Sequence, residues 1–312
     1  MDIGLLVTYL LRDALWLMTP LFYAAIGEFI VEKAGVLNLG IEGMMLISAF
    51  VAFAIGFLFE NPYIALLIGC LAGILVNLLF YILFQLIGVD QSLAGLSITI
   101  FGSGVTFFAF RAMIGYSTSA SPPVVKNIIS DLPLPILSRL PILGSILFDQ
   151  NPFVYLSFLL LFLFYVVEKS DIGLKIRTIG EDPSIADFIG IDVYKFRLIC
   201  VIVQGFLSGV AGSMLTISIY NTFLDNITAG LGFIAITMVI LGGWNPIRIF
   251  YSSFLFGLIY ALQFRVQMYG ASWLPYQFAL SLPYIVTIIL LAVFGRKYRP
   301  PTSLGKPYKR IR

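Results

Sequence analysis

Nine times in 312 residues the chain runs apolar over a stretch that approaches or exceeds what is needed to cross about 30 Å of hydrocarbon. The runs cover residues 14–31, 41–59, 63–87, 92–111, 153–167, 198–219, 231–243, 250–267 and 276–294. In lipid every backbone N–H and C=O must find a partner inside the protein, so such runs fold as helices. The expected class is therefore all-α: a polytopic integral membrane helix bundle of about nine spans, one domain over residues 1–312. The seventh run is short and flanked by glycine, as a broken helix would be. Residues 3–11 are also apolar but meet Arg12 and Asp13 too soon to cross, and read as interfacial or as an extension of the first span. The amino terminus lacks the cationic start and small-residue cleavage site of a signal peptide and is expected to stay on the mature chain.

Composition narrows the chemistry. The chain is 60% hydrophobic and 11% charged, with mean hydropathy +0.99, far outside the range of a water-soluble domain. Histidine is absent, which removes imidazole bases and His-ligated metal sites. Cys70 and Cys200 both sit in apolar runs, where a thiol behaves as a small hydrophobe. No metal site and no nucleic-acid partner is indicated.

Orientation follows from the cations. With residues 168–197 inside, Lys33, Lys169, Lys175, Arg177, Lys195, Arg197, Arg248 and the seven cations of a basic tail at 295–312 all face the cytoplasm. Arg12, Arg111, Lys126, Arg139 and Arg265 remain on the other side. Fourteen of 19 basic residues inside is a clear positive-inside bias. It places the amino terminus out and the carboxyl terminus in. The external segment 115–152 carries Pro122, Pro123, Pro133, Pro135 and Pro141, a density that forbids a long helix and predicts a surface loop with short turns.

The interior stretch densest in charge is 168–197, EKSDIGLKIRTIGEDPSIADFIGIDVYKFR. Within it Asp182 is placed to accept the free N–H groups of a first helical turn. Pro183 has its φ preset for the first helical position, and Gly190 supplies a left-handed stop. The helix so bracketed presents Ile185, Phe188 and Ile189 on one face. It is too short to persist in water on propensity alone, so that face should pack on a partner. A second distinctive stretch, EKAGVLNLGIEGMM at 32–45, sets three glycines beside Asn38 and Glu42 at membrane depth. Two readings stand for it: Asn38 caps the second span with Glu42 in its first turn, or both line a pathway.

These two stretches resemble the permease subunits of ATP-binding-cassette importers for simple sugars, branched-chain amino acids and nucleosides, most of all the nucleoside permeases that work with basic-membrane-protein-type lipoproteins. The first match rests on Glu32, Lys33, Ala34, Gly35, Val36, Asn38, Gly40, Glu42, Gly43, Met44 and Met45. The second rests on Arg177, Gly180, Glu181, Pro183, Ala186, Gly190 and Ile191, with Asp182 where asparagine is common and Ile185 in place of one alanine of the usual pair. The resemblance implies that 168–197 is a cytoplasmic coupling loop whose short helix docks in a groove of an ATPase subunit. It further implies a second permease subunit, an extracytoplasmic solute-binding lipoprotein and residence in the bacterial cell membrane. The chain itself has no G-x-x-x-x-G-K-[ST] stretch, so ATP and Mg would bind the partner ATPase and the chain is no enzyme.

Pathway candidates are the polar residues in or at the ends of the spans: Asn38, Glu42, Asn77, Gln91, Ser92, Thr99, Ser103, Gln204, Asn221 and Gln263. Such groups either bridge helices or touch a solute. Apart from Glu28 and Glu42 near one end of the first two spans, no carboxylate or cation is expected deep in a span. The cargo is then small and neutral: a nucleoside, with a ribose-like sugar or a branched-chain amino acid as alternatives. An ion-coupled secondary transporter is the reading from another class, and it needs the deep ionisable residues that the pattern lacks. A membrane enzyme lacks a catalytic constellation.

Overall fold

The computed structural model describes residues 3–115, 123–135, 138, 144–268, 276–295 and 297–310. Pro122, Pro141, Arg139, Arg296 and Arg312 of the expectations above lie outside them. Eleven helices make up most of the described structure: α1 (Ile3–Lys33), α2 (Ile41–Phe59), α3 (Pro62–Tyr81), α4 (Gln91–Ile114), α5 (Pro152–Lys169), α6 (Asp171–Glu181), α7 (Pro183–Phe188), α8 (Val193–Met214), α9 (Leu231–Gly242), α10 (Pro246–Met268) and α11 (Tyr276–Phe294). α3 and α8 each end in a wider π-helical segment, at Ile82–Ile87 and Leu215–Ile219. The only paired strands among the described residues are β1 (Leu132–Pro133) and β2 (Asp149–Gln150), antiparallel, within the proline-rich segment.

Local chemistry sets most of the starts. Asn or Asp followed by Pro opens α3, α5, α7 and α10, and in each case the Asx oxygen accepts backbone N–H groups that the helix cannot satisfy itself. Asp90, Ser170 and Asp192 cap α4, α6 and α8 in the same way. Residues 3–11 extend the first span, making α1 one helix of 31 residues.

Among the described residues eight helices are long and apolar enough to cross a membrane, and the chain is a multi-pass membrane protein. The seventh run departs from that length. α9 has 12 residues, about 18 Å of rise, well short of the hydrocarbon thickness. The reason lies just before it, where Asn221, Asn226, Ala229 and Gly230 all take positive φ, so no helix can run through 220–230. That segment starts beside the proline-rich loop, where Asn221 O accepts from Val125 N at 2.8 Å. It ends deep in the bundle, and α9 completes the passage to Trp244, whose indole N–H reaches Glu32 at the far end of α1.

α1 is the central helix, with 89% of its apolar window buried, whereas α11 at the rim has 11%. α3 and α8 touch backbone to backbone through Gly69, Gly73, Gly205 and Gly209, two small-xxx-small pairs. A Cβ on Gly73 would stand 2.4 Å from the Gly205 carbonyl oxygen.

Candidate coupling face and solute pathway

α7 sits at one end of the bundle as its caps dictate. The Asp182 carboxylate accepts from Ser184 N at 2.8 Å and Ile185 N at 3.2 Å. Gly190 stands at φ +88° just beyond the helix. One side of α7 faces inward: Ala186 is fully buried against Ile179 of α6, Val193 of α8 and Tyr308 of the tail. The other side is bare. Ile185, Phe188 and Ile189 are 56%, 91% and 61% exposed. Three large apolar side chains are thus left in the open at the end of a helix whose other face is fixed.

The tail is a strap. Ser303 N and Oγ both donate to Gly180 O, at 2.9 and 2.6 Å. Thr302 Oγ1 donates to Glu181 at 2.6 Å. Tyr308 O accepts from Gln85, Lys306 O accepts from Gln91, and the Arg310 guanidinium pairs with Asp187 on α7. That guanidinium holds the Asp187 carboxyl below the usual carboxylate range. Gly180 permits the close approach of α6 to the end of α1, because a Cβ there would lie 2.1 Å from Lys33 O. Arg177 is exposed beside this contact.

Arg197, counted above among the loop cations, is instead fully buried in the first turns of α8. Its Nε donates to Ala34 O at 3.2 Å and its Nη1 to Gln85 Oε1 at 3.1 Å. It ties α8 to the α1–α2 connection and the end of α3.

Of the pathway candidates, three meet. Asn38 Nδ2 donates to Gln204 Oε1 at 2.9 Å and to Asn77 Oδ1 at 3.1 Å, and Asn77 Nδ2 donates to Gln204 Oε1 at 2.9 Å. Glu28 closes the cluster, accepting from Asn38 N and from the Gln204 amide. All four side chains are fully buried, so in this conformation they hold α1, α3 and α8 to the connection before α2. Glu42 joins a different partner. Its carboxylate accepts from Thr228 Oγ1 at 2.6 Å and from Gly230 N and Gly232 N at 2.7 Å each, capping the broken start of α9 from the neighbouring helix.

Gln91 accepts from Leu37 N at 2.8 Å. Ser92 is half-buried in the capped first turn of α4. Thr99 donates to Leu39 O at 3.1 Å, while Ser103 is exposed and bonds its own helix. Asn221 stays outside the cluster, in the loop ahead of α9. The sequence set Glu28 and Glu42 apart from otherwise uncharged spans, and Glu32, in the last turn of α1, joins them. Glu28, Glu32 and Glu42 are all buried, each held by protein donors. Glu32 carried no signal in the sequence beyond its place in the first motif, and Arg197 none beyond its charge.

A cavity of about 460 Å³ opens beside the start of α9, between α1, α10, α11 and the 220–230 segment. Gln263 lines it, together with Gln267 one turn on and the rings of Tyr220, Tyr260 and Tyr284. Among the described residues its walls hold no charged side chain.

The sequence from residue 10 to residue 294 matches the family described as branched-chain amino acid transport system / permease component. The chain belongs to that family. Among its relatives is the nucleoside ABC transporter permease NupC of Lactococcus lactis, 32% identical over 93% of each chain. The guanosine ABC transporter permease NupQ of Bacillus subtilis is 30% identical over 99% of this chain and 98% of its own. A Haloferax volcanii protein provisionally named glucose ABC transporter permease TsgC13 is 33% identical over 83% of this chain and 78% of its own. No solved structure matches. As an ABC permease the chain is a transport subunit and not an enzyme, and the family implies ATPase and binding-protein partners.

Proposed function

We propose that this protein is the membrane-spanning permease of an ATP-driven importer for nucleosides in a bacterial cell membrane, with the α7 end in the cytoplasm. Two ATPase subunits dock there and bind ATP and Mg, a second permease subunit completes the pore, and an extracytoplasmic lipoprotein delivers the solute. The observation that carries the coupling role is the bare apolar face of α7, with Phe188 91% exposed on a helix pinned by Ala186. The end-to-end likeness to permeases named for nucleosides and guanosine supports the choice of cargo. A simple sugar is the second reading, favoured by the likeness to the Haloferax protein.

The contacts suggest how work is delivered. Closure of the ATPases on ATP moves α7, and α7 cannot move alone, because Ala186 packs on α6, α8 and Tyr308. Gly180 seats α6 on the end of α1, and Arg197 ties α8 to the same place. Displacement therefore reaches the Glu28, Asn38, Asn77 and Gln204 cluster, whose bonds are exchangeable, and from there α2 and the Glu42-held start of α9. Transport arises because ATP and cargo favour different packings of this one bundle.

The test is uptake of radiolabelled inosine, uridine, ribose and leucine into vesicles holding the permease pair and lipoprotein, with and without the ATPase. ATP-dependent nucleoside uptake that vanishes without the ATPase is expected. Uptake of ribose or leucine alone would overturn the cargo, and concentrative uptake without the ATPase would overturn the mechanism.

A further inference from the structure

The cavity beside α9 is lined by two glutamines, each of which the fold leaves with one amide atom unpaired. Gln263 Oε1 and Gln267 Nε2 are both buried without a hydrogen-bond partner. Both residues line the cavity, and Gln263 is only 5% exposed. They are four residues apart on α10, so they stand one above the other on one face. One offers an acceptor and the other a donor. An unpaired buried amide atom is costly, and a turn of each amide about its last side-chain bond brings these two atoms to the cavity, where they match a ligand that carries a donor for the first and an acceptor for the second.

The rest of the lining narrows that ligand. The Tyr284 hydroxyl donates to Ala229 O and the Thr228 hydroxyl to Glu42, so neither has a donor left for a guest. Tyr220, Tyr260 and Tyr284 supply aromatic surface for a flat ring. The described walls carry no charge, and the volume, about 460 Å³, falls within the range of small-molecule sites.

We propose that this cavity is a solute station inside the bundle and that it reads the hydrogen-bonding edge of a nucleobase. A ring N–H of the base donates to Gln263 Oε1, the adjacent ring carbonyl accepts from Gln267 Nε2, and the base lies against the tyrosines. The identity of the solute rests on the nucleoside reading above. The place and polarity of the station rest on the cavity itself.

The test uses the assembled transporter in proteoliposomes, with wild-type, Gln263→Leu and Gln267→Leu permeases compared on two pairs of solutes. Uridine and inosine carry the ring N–H; 3-methyluridine and 1-methylinosine have it replaced by a methyl group. The lipoprotein is the same in every arm, so any change in the ratio of parent to methylated uptake belongs to the permease. Gln263→Leu is expected to lower that ratio about tenfold, the worth of one hydrogen bond to a buried amide. An unchanged ratio in both variants overturns the assignment. Where Gln263→Leu fails to assemble, Gln263→Asn, which retracts the amide by one methylene, is expected to lower the ratio as well, and an unchanged ratio there also overturns it.

Cysteine protection locates the station whatever the cargo proves to be. The native Cys70 and Cys200 are buried, so a small maleimide reports on Gln267→Cys. The solute that the wild-type assembly transports should slow that labelling at least fivefold, and no protection overturns the station. Failure of the wild type to take up any nucleoside counts against the nucleoside reading instead, and protection by another transported solute would then keep the cavity and discard the nucleobase.

Discussion

Replacing Glu42 by glutamine changes one atom and removes one hydrogen bond from the start of α9. The carboxylate accepts three donors, Thr228 Oγ1 and Gly230 N through Oε1 and Gly232 N through Oε2. Glutamine keeps an oxygen for the first two but turns an NH₂ group toward the Gly232 N–H. No water can take its place, since even a Cβ on Gly232 would lie 2.6 Å from the Glu42 backbone. A lost hydrogen bond to a charged group costs about 1.5–3 kcal/mol, a factor of about 10 to 150 in the opening equilibrium of this segment. Alanine removes all three bonds and should cost more than about 4 kcal/mol. Hydrogen exchange on the detergent-purified protein reads this locally. In Glu42→Gln the amides of Gly230 and Gly232 should exchange at least about tenfold faster, while α6 and α7 keep wild-type protection. Wild-type exchange at both glycines would refute the capping role.

Two further outcomes follow from the packing. Gly73→Val forces a side chain into the Gly205 carbonyl and should lower stability by about 1–3 kcal/mol, whereas Gly104→Ala, with nothing within 4 Å, should not; thermal unfolding of both variants checks the contrast. The strap should respond to acid. The Asp187 carboxyl is held below its usual range by Arg310, so the pair contributes above the ordinary carboxylate pKa near 4 and is lost as pH falls through the lowered value. Protease cleavage within residues 301–310 should therefore stay slow from neutral pH down to about 4 and rise below it, while Arg310→Ala should be cleaved readily at neutral pH. Equal cleavage of both proteins at pH 7 would contradict the strap.

What was legible in the sequence was what local rules govern. α7 falls where Asp182, Pro183 and Gly190 placed it, because caps act over two or three residues. The broken seventh span showed in its shortness and flanking glycines. The strap did not, since Arg310 and Asp187 are 123 residues apart and nothing in either neighbourhood signals the other. Arg197 counted as a loop cation because charge normally marks a loop; its burial depends on acceptors from Ala34 and Gln85, which only the fold assembles. Glu42 read either as a first-turn residue of its own helix or as pathway lining; it does lie in that first turn, but its donors are 186 to 190 residues further on. Gln263 stood among the polar candidates and Gln267 did not, and the space beside them comes from the irregular 220–230 segment, whose course no periodicity encodes.

The central claim is that the bare face of α7 receives work from a separate ATPase, and it is tested most directly by the double variant Phe188→Asp, Ile189→Asp in the reconstituted assembly. Both residues are mostly exposed, so the variant permease should fold and unfold as the wild type does. Solute-stimulated ATP hydrolysis and uptake should both fall to background, because two apolar anchors of a docking helix carry much of its affinity. Undiminished stimulated hydrolysis and uptake would contradict the account.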